Sequence, residues 1–233
     1  MPAIIEISGE LEPGLWDYNG LDLGGARLPP VTVTRVASIG EHGFDAHAIS
    51  LSTLSGTYTE TGAHLIDGAP TVDQLAIRDL IRPAKVLRLG QLAPRSLIRT
   101  AELERADPGV QPGDALIIDT GWGARWNSPG YVSDAPAFSA TTLDWLLAQP
   151  FSILALDTPV MECQWCGPGD AGELLRPLYE RGMILIAPVV KLDQIESSSG
   201  TLISFPLPVK GVASVPGRVV FVQDADWSGA LKP

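Results

Sequence analysis

Leu54-Ser55-Gly56-Thr57-Tyr58-Thr59-Glu60-Thr61-Gly62-Ala63-His64 is the stretch on which the reading of this 233-residue chain turns. Upstream of it, small and apolar residues alternate through Ala46 and Ala48 to Leu51; downstream, Asp67-Gly68-Ala69-Pro70 marks a turn. The pattern predicts a buried strand that ends in a loop carrying polar groups. Gly56 permits close backbone approach. Glu60 and His64 bring together a carboxylate and an imidazole, a pair able to move protons near neutral pH.

Working outward, residues 1–20 give a short strand and a turn-rich loop with Trp16 and Tyr18. Residues 31–39 alternate as a strand, and residues 47–55 form the strand leading into the central stretch. Residues 71–80 have helical spacing, and residues 86–89 read as a short strand. Thr100 is placed to cap a short helix. The run from Ala115 to Asp119 reads as a buried strand, followed by a loop with an exposed Trp122. A capped helix follows over 139–147, then a buried strand over 151–156. A helix over 173–181, bent at Pro177, precedes an apolar strand over 183–190. Strands over 204–209 and 218–223 close the sheet. With no repeat or long linker, residues 1–233 read as one domain of mixed α/β or α+β class.

Composition narrows the function. Apolar residues make up 45% and charged residues 18%, which excludes a disordered chain. A net charge of −11 argues against nucleic acid or an anionic membrane as partner. The N-terminus lacks a signal-peptide pattern and no run reaches membrane-spanning length, so the expectation is a cytoplasmic protein. Cys163 and Cys166 are half a zinc motif with no second half, since the chain has 2 Cys and no His beyond His64. That leaves a redox pair or two loop thiols.

The central stretch resembles the signature of the cyclase superfamily, which includes bacterial kynurenine formamidases and isatin hydrolases: His-x-Gly-Thr-His-x-Asp-x-Pro-x-His. Gly56, Thr57 and His64 match it, Glu60 replaces the Asp, and Leu54, Tyr58 and Gly62 stand where the signature has His, His and Pro. Asp67-Gly68-Ala69-Pro70-Thr71, the Val110 to Leu116 run, Thr120-Gly121-Trp122, Asp157-Thr158-Pro159 and Leu192-Asp193-Gln194-Ile195 resemble further family blocks, in family order. The resemblance implies a barrel-like mixed β-sheet with flanking helices, the swivelling β/β/α fold, with the site at the strand ends. It also implies a small-molecule substrate and a homo-oligomer, dimer or tetramer, whose subunits complete one another's pockets.

In that family two His and the Asp of the signature hold a divalent metal, and a later His and Glu complete a second site. Here the later His position falls near Leu174 or Leu175, the Glu on Ala187 and the accompanying Asn on Lys191. Only Glu60 remains as a strong ligand, whereas three or more are usual. The sequence reading therefore expects no cofactor, with Mn or Zn as the alternative. Glu60 is taken as general base, His64 as its acid/base partner and Tyr58 as donor to a developing oxyanion. Trp16, Tyr18, Trp122, Thr57 and Cys163 are placed against the substrate; the Trp residues read equally well as hydrophobic plugs.

Three functions follow. The first is acid–base chemistry on a small, aromatic or cyclic carbonyl compound: cyclisation, dehydration, isomerisation or lactone opening. The second is metal-dependent amide or formamide hydrolysis. The third is ligand binding without turnover.

Overall fold

The computed structural model describes residues 3–223, so Met1 and Pro2 of the expected first strand lie outside it. In chain order, the strands are β1 (Ile4–Glu6), β2 (Thr32–Ala37), β3 (Ala46–Ser50), β4 (Tyr58–Glu60), β5 (Ile81–Arg88) and β6 (Leu97–Ile98). There follow β7 (Ala115–Asp119), β8 (Ala137–Phe138), β9 (Ile153–Leu156), β10 (Ile184–Ala187), β11 (Ser199–Pro206) and β12 (Ser214–Gln223). The α-helices are short: α1 (Ile39–His42), α2 (Thr100–Ala106), α3 (Leu143–Ala148) and α4 (Leu175–Glu180).

Strands β12, β11, β5, β7, β9, β10 and β4 pair in that order, and β4 pairs back onto β12, closing a seven-stranded barrel. The β5-β7-β9-β10 segment is parallel. Its connections carry α2, α3 and α4 in turn, because parallel neighbours need a crossover. One edge of β12 pairs with β11, and the other is shared by β4 and β1.

Strand alternation builds two cores from one run of sequence. Ala115 and Ile117 pack into the barrel with Ile153, Ile186 and Phe221. Leu116 and Ile118 face outward into a second core with Leu103 of α2, Leu146 of α3 and Leu178 of α4. A strand buried on both faces reads as a continuous apolar run, which is how β7, β9 and β10 look in the sequence. Ser139 caps the turn before α3 by accepting from the Thr141 amide, as expected. No helix among the described residues is long and apolar enough to cross a membrane.

Three expectations change. Strand β3 ends at Ser50 and is exposed: among the described residues it pairs only with β2, in a hairpin that packs neither face on the core. The buried strand is β4 itself. Residues 71–80 form two 3-10 turns, Val72–Gln74 and Ile77–Leu80, and not one helix. The Thr71 amide donates to Gln74 Oε1 at 2.9 Å and the Gln74 amide to the Thr71 carbonyl at 3.0 Å, which closes the first turn, and the chain then extends through Leu75 and Ala76. Pro177 does not bend α4: the helix starts at Leu175, so Pro177 sits in a first turn where no intrahelical N–H bond is lost. Gly56 has φ +67°, and a Cβ there would lie 2.5 Å from Leu11 Cδ2, so the turn into β4 needs glycine.

Candidate active site

Strand β4 lies antiparallel between β10 and β12, with Leu185 and Ser214 both opposite Glu60. Alternation puts Tyr58 and Glu60 on the helix-facing side, while Thr59 turns the other way and its hydroxyl meets that of Ser204 at 2.8 Å. After β4, a 3-10 turn over Gly62–His64 brings His64 back over the carboxylate. The fold thus converts a four-residue spacing into one site.

Tyr58, Glu60 and His64 line a cavity of about 200 Å³ together with Tyr18, Thr158 and Leu54. The ends of β9 and β10 contribute Leu156 and Ala187 to its wall. Glu60 is buried, and its Oε1 accepts a hydrogen bond from the Tyr179 hydroxyl of α4. Its Oε2 is buried without a hydrogen-bond partner and lies 3.6 Å from His64 Nδ1. Burial pushes the Glu60 carboxyl above its ordinary value; His64 and the Tyr179 hydrogen bond oppose that shift.

The phenols form a chain of their own. Tyr18 donates to the Pro159 carbonyl at 2.9 Å and lies 2.9 Å from the Tyr58 hydroxyl. A carbonyl only accepts, so Tyr18 spends its one hydrogen there and Tyr58 donates to Tyr18. The hydrogen that the sequence reading assigned to an oxyanion is therefore engaged within the protein. Burial raises the pKa of Tyr18, Tyr58 and Tyr179 alike, so all three stay neutral.

The other expected substrate contacts are placed elsewhere. Trp122 is buried, not exposed: its indole donates to the Tyr131 carbonyl at 2.9 Å in an aromatic cluster with Trp16 and Trp126. Trp16 packs edge-on to Tyr18 and so supports a cavity residue without lining the cavity. Thr57 is taken up in structure, donating to the Pro188 carbonyl at 2.5 Å and accepting from the Gly9 amide at 3.0 Å. Cys163 forms a disulfide with Cys166, which leaves neither a free thiol.

Three residues were given no role by the sequence reading. Tyr179 reaches Glu60 from far along the chain, with no local pattern to announce it. Glu162 lines the cavity and uses Oε1 to accept from the Leu174 and Leu175 amides at the start of α4. Asp157, at the end of β9, is buried and accepts from the Thr120 amide and hydroxyl and from the Gly123 amide. Burial, assisted by Asp119 and opposed by these donors, pushes its pKa up to about 7.

Tyr179→Phe tests the control of Glu60. Removing a donor that favours the carboxylate raises the Glu60 pKa further. In a kcat/KM–pH profile, the acid limb of the variant is expected to lie at higher pH than that of wild type. An unmoved limb would remove Tyr179 from the proton chemistry.

The molecule is an α/β protein with a closed barrel whose parallel strands end beside a cavity lined by a buried carboxylate, Glu60, and a partly exposed imidazole, His64. The chain belongs to the Cyclase family, whose model, described as "Putative cyclase", matches residues 5–163. It is similar to the kynurenine formamidase of Bordetella pertussis, with 23% identity over 172 residues, 74% of this chain and 78% of that protein. In fold it is similar to isatin hydrolase A from Ralstonia solanacearum, with a TM-score of 0.81 at 16% identity over 96% of this chain and 92% of that one. A "predicted metal-dependent hydrolase" from Bacillus stearothermophilus superposes with a TM-score of 0.73 at 16% identity, over 95% and 98% of the two chains.

That last likeness corrects the expectation of no cofactor: the fold is one that a protein described as metal-dependent also uses. The donor set of this chain does not by itself fit a metal. Among the described residues no group of three or more His, Cys, Asp or Glu side chains converges. Glu60 and His64 are two donors, Glu162 is occupied at α4, and Cys163 is bonded to Cys166. Leu54 and Tyr58, at the signature's two His positions, line the cavity with a hydrocarbon and a neutral phenol.

Proposed function

We infer that the chain is an enzyme that adds water to, or eliminates it from, the carbonyl carbon of a small aromatic or cyclic compound. The observation that carries this reading is the unpaired Glu60 Oε2, buried in the cavity 3.6 Å from His64 Nδ1. A buried carboxylate oxygen without a hydrogen bond is costly, and such groups cluster where a proton has to be moved. In the hydrolytic direction Glu60 takes a proton from water as its oxygen bonds to the carbonyl carbon. His64, at the cavity mouth, supplies a proton to the departing nitrogen or oxygen as its bond to that carbon breaks. The reverse sequence closes a ring and releases water.

The relatives' names support this class, since one names a formamidase and another an isatin hydrolase. The test is turnover of isatin and of the uncharged arylformamide formanilide followed by absorbance, with the Glu60→Gln protein as control. Glu60-dependent ring opening or deformylation is the expected result. Absence of turnover in the wild type on both, and on lactone analogues of isatin, would overturn the reading.

The exposed β2–β3 hairpin supports assembly into a homo-oligomer. A two-stranded hairpin alone is marginal in water, and Val33, Val36 and Ile49 stand open on this one. Light scattering is expected to give a mass of two or four chains, and Ile49→Lys to lower it. A single-chain mass for the wild type would exclude assembly.

A further inference from the structure

Two buried polar atoms on residues that line this cavity make no hydrogen bond: Glu60 Oε2, with His64 Nδ1 at 3.6 Å, and the Thr158 hydroxyl. Thr158 is 1% exposed and follows Asp157 at the end of β9. A buried hydroxyl without a partner loses its hydration for no return, so native proteins leave few of them. Two in one small cavity are the complement of something that enters it. A hydroxyl offers a donor, and an ionised carboxylate oxygen an acceptor. The matching ligand edge carries a carbonyl beside an N–H, as in a lactam or cyclic imide.

The remaining lining fixes the charge and size of that ligand. No Lys or Arg side chain among the described residues lines the cavity, whereas Glu60 and Glu162 both do. A ligand carboxylate would be desolvated against two acids, and the one basic side chain of the lining, His64, already faces Glu60 Oε2. Leu21, Leu23 and Leu54 supply apolar wall. At about 200 Å³ the space is smaller than the roughly 300–1,000 Å³ of drug-sized sites.

We propose that Thr158 is a substrate-positioning residue, its hydroxyl and Glu60 Oε2 together seating the carbonyl and N–H edge of an uncharged one- or two-ring compound, and that the cavity rejects ligands bearing a carboxylate. This rests on the reading of the Glu60 cavity as the active site.

The experiment is equilibrium binding of phthalimide and of 4-carboxyphthalimide to the full chain, as wild type, Thr158→Val and Thr158→Ser, with a melting curve of each ligand-free protein. Phthalimide is expected to bind the wild type and the Ser variant alike, and Thr158→Val about tenfold more weakly. The carboxylated analogue is expected to bind the wild type at least about tenfold more weakly than phthalimide. Ligand-free Thr158→Val is expected to melt at or above the wild-type temperature, because it replaces an unpaired hydroxyl by a methyl of similar size. A merely structural Thr158 would lower it. Equal binding of the two ligands, unchanged binding by Thr158→Val, or no binding of phthalimide would each overturn the proposal. Binding as described without turnover of any carbonyl compound would sink the catalytic reading and leave this subsite standing.

Discussion

Glu60→Gln is expected to lower kcat by about 10²–10⁴-fold while leaving the fold intact. The amide has nearly the shape of the carboxylate, and its oxygen can still accept from the Tyr179 hydroxyl that Glu60 Oε1 now accepts from. What disappears is the basicity of Oε2, the atom that faces His64 without a hydrogen bond of its own. The variant also loses a buried ionisable group whose pKa is raised by desolvation, so its melting temperature is expected to match or exceed that of wild type. The decisive comparison is kcat beside the melting curve. Wild-type turnover in a well-folded Glu60→Gln protein would remove Glu60 from the chemistry, and lost turnover in an unfolded one would say nothing about it.

Asp157→Ala is expected to destabilise the protein by about 3–5 kcal/mol at pH 5. The carboxyl gathers the Thr120 amide, the Thr120 hydroxyl and the Gly123 amide, and alanine leaves all three donors buried and unpaired. These bonds fix the turn in which Trp122 enters its aromatic cluster. The cost depends on pH in a definite direction. Because the folded pKa is raised from 3.8 to about 7, the folded state holds this proton more tightly than the unfolded chain does. Its contribution is complete below about pH 4 and is lost as pH rises through about 7. The gap between wild type and Asp157→Ala should therefore be wider at pH 5 than at pH 8, read by urea denaturation at each. A gap that grows with pH would mean that Asp157 is held ionised.

The barrel core was legible in the sequence because strands buried on both faces write themselves as unbroken apolar runs. Ala115 to Asp119 and Ile153 to Leu156 needed no other signal. The hairpin was misread because period-two alternation says that a strand has two unlike faces, not that one of them is covered. At the site, Glu60 and His64 stood out as chemistry within one short stretch. Tyr179 and Thr158 did not, because each matters only through what the folded chain brings beside it. Thr158 was quoted as part of a block, but nothing in Asp-Thr-Pro says that its hydroxyl lacks a partner. The proton order of Tyr18 and Tyr58 follows from the Pro159 carbonyl, a neighbour that only the fold supplies.

The two-sided pairing of β4 bears on how the protein comes into being. Tyr58 and Glu60 are held by Ala187 and Leu185 on one side and by Pro216 and Ser214 on the other. During synthesis the acid-bearing strand emerges long before β12, its partner on one side. Until that last strand is released, β4 has an open edge, the kind of backbone that pairs with strangers. Such long-range closure makes for slow folding. A ribosome that stops short of residue 214 leaves Glu60 on an unclosed sheet, so the closed barrel arrives with β12 and not gradually before it.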